Sequence, residues 1–261
     1  MSRVSVEIKD YIAHVTLTRA DKHNGVDDDM LNAVVEAGEG LMESDARAVV
    51  LSGEGKSFCA GLDVMSYAKL AARETEELLI QRTNGNANLF QAFALVWRRL
   101  PMPVIAAIQG ACYGAGFQLA LGADIRVAAT DAKISVMEMK WGLIPDMGGM
   151  VLLPSLVRSD VMRKLTYTAG PVSGEEALAL GLVTELADDP LLRAQELAGE
   201  IAGKSPTAIR AAKRLMALAE SGAGEDEVLL AESREQADLI GKPHQMEVIS
   251  ANMAKRAPVF K

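Results

Sequence analysis

From Leu100 to Ala123 the chain carries no charged residue. Length alone would let such a stretch cross a bilayer as a helix. Pro101, Pro103, Gln109, Gly110, Gly114 and Gly116 interrupt it repeatedly, so a buried strand, a glycine turn and a buried helix fit it better. Apolar elements of both kinds in one run need covering layers, which points to an α/β fold. Within the stretch, Gly114, Ala115 and Gly116 bear almost no side chain, and Gln118 is the only strongly polar side chain between Tyr113 and Asp124.

Other segments extend the pattern. Val4, Val6 and Ile8 alternate with polar residues, as do Ala13, Val15 and Leu17, which predicts two strands turning near Lys9-Asp10. "DDDMLNAVVEAGEGLM" reads as a helix with an acidic start, "ARAVVLSG" as a buried strand and "KSFCAGLDV" as the turn after it. Residues 66–97 read as irregular helix interrupted by "TNGNAN". "PVIAAIQG", "DIRVAAT" and "AKISV" read as strands, "GLIPDMGGM" as a loop, and most of the chain from Ser159 onward as helix. Two regions are expected, 1–195 as the α/β core and 196–261 as a helical appendage.

Composition removes several function classes. The chain has 27 Lys and Arg against 35 Asp and Glu, a formal net charge of −8, which makes it a poor general nucleic-acid binder. Cys59 and Cys112 make no disulfide framework and lie among small apolar residues, as buried reduced thiols of a cytoplasmic protein do. His14, His23 and His244 give no metal-binding spacing and are read as structural or surface residues. "MSRVSVEIKD" has no apolar core of a secretory signal, so none is expected.

Two places expose backbone N–H groups with little side-chain cover: the turn Cys59-Ala60-Gly61-Leu62 and the helix start Gly114-Ala115-Gly116. A helix N-terminus has unpaired donors and a positive dipole end, and two donors facing one oxygen make an oxyanion hole. Glycines at such turns also occur for steric reasons alone. Glu138, in "SVMEMKWG", is either satisfied by a structural partner or an acid/base with a raised pKa. Asp146, in "IPDMGG", reads first as a turn aspartate capping backbone N–H groups.

"SFCAGLD", "IQGACYGAGFQLALGADIRV", "EMKWGLIPDMGG" and "GEEALALGLV" stand in the order and spacing of the crotonase, or enoyl-CoA hydratase/isomerase, family, and the likeness extends to the closing "KRAPVFK". The resemblance implies a spiral of ββα units with a C-terminal helical region that forms a homotrimer or a dimer of trimers. It implies an acyl-CoA substrate, no cofactor beyond the coenzyme A thioester itself, and no metal. The backbone N–H groups of Leu62 and Ala115 would hold the thioester oxygen. Ala60, Gly61 and Gly114 would contact the CoA moiety, and Lys22, with Lys255 or Lys261, would meet its phosphates.

Hydratases of the family carry glutamates at the positions of Gln118 and Glu138. Water addition needs one group to activate water and another to manage the proton, and an amide has no usable pKa for either task. The resemblance therefore implies an enoyl-CoA or dienoyl-CoA isomerase, with Glu138 as base, Asp146 as a second acid and Gln118 orienting water or ligand. A hydratase working with Glu138 and a Gln118-oriented water is the alternative, and an acyl-CoA-binding homologue without turnover a third. Met65, Phe90, Trp97, Met137 and Trp141 are candidates for the acyl pocket, or plain core.

Overall fold

A computed structural model describes residues 2–63, 65–66, 72 and 74–260. Among the described residues nine strands form two sheets: β1 (Val4–Lys9), β2 (Ile12–Leu17), β3 (Ala48–Gly53), β4 (Val104–Ile108), β5 (Ala111–Tyr113), β6 (Ile125–Ala128), β7 (Lys133–Ser135), β8 (Val172–Ser173) and β9 (Glu185–Leu186). The larger sheet has the order β1-β2-β3-β4-β6-β9 and the smaller the order β5-β7-β8. Only the β1–β2 and β7–β8 pairings are antiparallel. Parallel strands need crossovers, and helices supply them.

The helix Asp28–Leu41 starts where the Asp27 side chain accepts the Met30 N–H, and it buries Met30, Leu31, Val34, Val35 and Leu41 along one stripe. Gly38 on the same stripe lets Val96 of the helix Leu89–Arg99 approach; a Cβ there would lie 2.6 Å from a Val96 methyl. The helix Leu89–Arg99 opens with a capping box in which Asn88 and Gln91 exchange side-chain-to-backbone bonds.

The uncharged stretch folds as expected. All of β4 is buried, and so is every residue of the helix Ala115–Leu121. No helix among the described residues is long and apolar enough to cross a membrane. β1 departs from its alternation. It is the edge strand of the larger sheet, and Val6 and Ile8 are 45% and 47% exposed. The helix Pro190–Ala202 packs on β3 and β4 over a second small core and runs across the 195/196 division. The helix Glu225–Leu239, which the sequence pattern does not single out, buries none of its residues.

The helix Pro206–Glu220 is bolted to the core by charge. Lys213 donates to Asp124 at 2.6 Å and to the Met102 carbonyl at 2.9 Å, while Asp124 also accepts the Val104 N–H at 2.7 Å. Arg98 bridges Asp124 to Glu220. Lys213→Met removes a charged hydrogen-bond partner and leaves Asp124 with Arg98 and the Val104 N–H, so it is expected to destabilise the fold by about 2 kcal/mol. Urea unfolding checks this as a lower midpoint at unchanged slope.

Candidate active site

β5 and β7 run parallel with Tyr113 opposite Ser135, so the turn after β5 lies beside the turn after β7. The Gly114 N–H donates to the Ser135 carbonyl at 2.9 Å and locks the two turns together. Gly114 has φ +50 and ψ −117, a conformation open in practice only to glycine. A Cβ on it would lie 3.4 Å from Glu138 Oε1, so the Glu138 carboxylate passes directly over bare backbone.

The other turn comes in from β3. Cys59 pairs with Cys112, the Cys59 N–H donates to the Ala111 carbonyl, and the Tyr113 N–H donates to the Cys59 carbonyl. Gly116 makes this approach feasible, since a Cβ there would sit 2.2 Å from the Cys59 carbonyl oxygen. Gly61 (φ +90) packs tightly on Tyr113 and touches Ala115; its missing Cβ would lie 2.7 Å from the Tyr113 oxygen and 3.7 Å from the Ala115 nitrogen. No acceptor among the described residues receives the N–H of Leu62 or of Ala115.

A cleft of about 130 Å³ opens between these turns. Ala60, Gly61, Leu62, Gly114 and Ala115 line it together with Glu138 and Asp146. Tyr113, Met137, Trp141, Leu143, Ile144 and Met147 give it an apolar rim. Lys22 is exposed and outside this lining, Lys255 is exposed beyond the last helix, and Lys261 lies outside the described residues. Of the apolar candidates only Met137 and Trp141 border the cleft. Phe90 and Trp97 are buried in the core, and Met65 is 76% exposed.

Gln118 stands behind the cleft, 2% exposed. Its Oε1 accepts the N–H groups of Met147 at 2.8 Å and Gly149 at 3.0 Å, and its Nε2 donates to Glu138 Oε1 at 2.6 Å. The amide therefore orients the carboxylate and the loop carrying Asp146. The sequence motif, which suggests that it orients water or ligand, gives no sign of the Met147 and Gly149 donors, because backbone groups leave no residue-type signature. Glu138 Oε2 is buried and has no hydrogen-bond partner among the described residues.

Burial raises the Glu138 carboxyl above the ordinary glutamate value by desolvation. Nearby N–H groups and the Gln118 amide pull it back, and the charge of Asp146 pushes it further up. Partial desolvation also raises Asp146, which sits at the exposed rim. Cys59 and Cys112 are free and buried, and desolvation pushes the Cys59 thiol up to about 12, far from a nucleophile's range. No group of three or more His, Cys, Asp or Glu side chains among the described residues is arranged to hold a metal ion.

Two main-chain N–H groups without an acceptor among the described residues and a half-buried carboxylate line one cleft of a crotonase fold. An enoyl-CoA hydratase structure from Bacillus anthracis superposes with a TM-score of 0.88 at 29% identity, covering 99% of each chain. The chain belongs to the enoyl-CoA hydratase/isomerase family, whose sequence model matches residues 7–261. It is 31% identical to a probable enoyl-CoA hydratase of Bacillus subtilis, over 100% of this chain and 99% of that one. It is 34% identical to the human mitochondrial Delta(3,5)-Delta(2,4)-dienoyl-CoA isomerase, over 78% of this chain and 64% of that one.

The 2.6 Å contact between Gln118 and Glu138 makes a sharp titration test. Gln118→Glu sets two carboxyl oxygens at that spacing, where they hold one proton between them. A carbon-13 carboxyl titration by NMR is expected to show two coupled steps, the upper one above that of parent Glu138. Asp146→Asn, by removing a negative neighbour, is expected to move the Glu138 titration to lower pH.

Proposed function

We propose that the protein is an enoyl-CoA or dienoyl-CoA isomerase that works through a thioester enolate. The observation that carries this reading is the single poised carboxylate: Glu138 Oε1 is engaged by Gln118 while Oε2 is buried, unpartnered and beside the cleft. The thioester oxygen would sit between the N–H groups of Leu62 and Ala115, with the CoA backbone contacts at Ala60, Gly61 and Gly114. Glu138 Oε2 takes a proton from C2. The C–H electron pair moves into the enolate, and the two amides stabilise the negative charge on oxygen as it develops.

Return of a proton to C4 from the same carboxyl completes a shift from 3-enoyl to 2-enoyl. In a 3,5-dienoyl chain the charge spreads to C6, and Asp146 protonates that remote carbon while Glu138 keeps the proton taken from C2. Raised carboxyls suit both roles, because a general acid/base works best with a pKa near the working pH. The apolar rim of Trp141, Leu143 and Ile144 suits an acyl chain. No cofactor enters this scheme, and we place it in the cytoplasm.

The alternative is hydration, the activity in the names of the Bacillus relatives. It needs a water held beside Glu138. Gln118 is poorly placed to hold one, because its oxygen takes two backbone donors and its nitrogen serves the carboxylate. An acyl-CoA-binding protein without turnover is the third possibility, and the unpartnered Oε2 argues against it.

Incubation with 3-enoyl-, 2-enoyl- and 3,5-dienoyl-CoA separates the three. Glu138→Gln is expected to retain acyl-CoA binding and lose isomerisation by about a hundredfold or more. Asp146→Asn is expected to lose 3,5-dienoyl-CoA turnover and spare 3-enoyl-CoA. Hydration of 2-enoyl-CoA without any isomerisation would overturn the assignment.

We further propose assembly as a trimer or a dimer of trimers through the C-terminal helices. Leu229, Leu230, Met246 and Met253 of this region are all at least half exposed, apolar surface that a second copy would cover. Sedimentation at micromolar concentration is expected to give a trimer or hexamer, and a monomer would refute this.

A further inference from the structure

The direction of the Leu62 N–H is set by a single β-bridge. Val26 and Leu62 pair in parallel: the Val26 N–H donates to the Gly61 carbonyl at 2.8 Å, and the Asp63 N–H donates to the Val26 carbonyl at 2.8 Å. Along extended backbone, successive N–H groups point to opposite sides. With Gly61 O and Asp63 N turned toward Val26, the Leu62 N–H turns away from it, toward the side where Ala115 lies. Two hydrogen bonds next to a glycine at φ +90 are a slender support for a group that must be held to a fraction of an ångström.

Arg19 grips both strands of that bridge. Its Nη1 donates to the Gly25 carbonyl at 2.8 Å, on the Val26 strand, and its Nη2 pairs with Asp63 Oδ2 at 2.8 Å, on the Leu62 strand. The guanidinium is itself held. Asp27 Oδ2 lies 3.4 Å from Nη2, the Arg19 N–H donates to Asn24 Oδ1 at 2.9 Å, and the side chain is only 12% exposed. The second Asp63 oxygen accepts the Met65 N–H at 3.1 Å, so neither carboxylate oxygen is left to wander. The arrangement needs a planar fork that reaches two acceptors at once, which an ammonium does not offer.

We infer that Arg19 is a positioning residue: by clamping Asp63 to the Gly25–Val26 strand it fixes the aim of the Leu62 N–H at the thioester oxygen. This rests on the reading of Leu62 and Ala115 as oxyanion donors. A plain ion pair would affect folding alone, whereas a clamp on the donor affects the polarisation of the bound thioester. Cinnamoyl-CoA reports that polarisation, since drawing electron density onto its carbonyl oxygen shifts its ultraviolet band to the red.

The test compares Arg19→Met with Arg3→Met. Arg3 pairs with Asp27 at 2.6 Å in the same charge network, yet has no contact with Asp63 or Gly25 among the described residues. Arg19→Met is expected to lower kcat on the best enoyl-CoA substrate by about tenfold or more, with KM within about twofold. The cinnamoyl-CoA red shift is expected to shrink with it, and Arg19→Lys to recover part of both. Arg3→Met is expected to leave both at parental values. Should Arg19→Met fail to fold, Asp63→Asn carries the same expectation.

Parental kcat and red shift in folded Arg19→Met or Asp63→Asn would overturn the inference, as would an equal loss in Arg3→Met. Ala115→Pro separates the two levels, because proline at a first helical position removes only the N–H. If Ala115→Pro loses the red shift while Arg19→Met keeps it, the clamp alone is wrong. If both keep it, the donor assignment is wrong.

Discussion

The Gln118 amide ties together by hydrogen bonds three parts of the molecule that border the cleft. It sits on the buried helix Ala115–Leu121, whose first residue carries an N–H that no acceptor among the described residues receives. It donates to Glu138, on the turn after β7, and accepts from Met147 and Gly149, on the loop that carries Asp146. A neutral amide can do this because it offers donor and acceptor together. A carboxylate could satisfy the two loop N–H groups but would meet Glu138 with like charge. The space behind it is also taken up: a Cβ on Gly149 would fall 2.8 Å from the Gln118 oxygen. The same contact ties the fold to the chemistry, because it leaves one carboxylate oxygen of Glu138 engaged and the other open.

Close backbone approach is the second constraint. The Cys59–Leu62 turn, the Gly114 turn and the start of the buried helix come within van der Waals reach only where side chains are absent, at Gly61, Gly114 and Gly116. Charge-bearing clamps then hold this crowded region from outside. Arg19 works from the β2 end, and the Lys213–Asp124–Arg98–Glu220 chain holds the helix Pro206–Glu220 to β4 and the helix Leu89–Arg99. Neither clamp lies at the cleft.

Much of this is legible in the sequence, and for identifiable reasons. β4, the buried helix and the helix Asp28–Leu41 announce themselves through periodicity, glycines and an acidic cap. Leu62, Ala115, Glu138 and Asp146 stand in motifs, and the structure gathers all four around one cleft. What the residues do not convey is pairing between side chain and distant backbone. Gln118 reads as an orienter of water, because nothing local says that Met147 and Gly149 turn their N–H groups toward it. Arg19 and Asp63 lie far apart in the chain, and nothing in the sequence joins them, although Asp63 closes the motif "SFCAGLD". Glu225–Leu239 escapes because a helix that buries no face within its own chain has no stripe to read.

The two unpartnered N–H groups belong to the main chain, and this bears on how such a scaffold changes over time. Nearly any substitution at position 62 or 115 retains the donor, since only proline lacks it. Positions 118, 138 and 146 are different, because there the side chain itself carries the proton or the hydrogen bond. On the proposed scheme, inherited variation would leave the anion-stabilising part in place while it samples new acids and bases at the cleft. One backbone framework would thus lend itself to successive reactions without first losing its grip on the thioester.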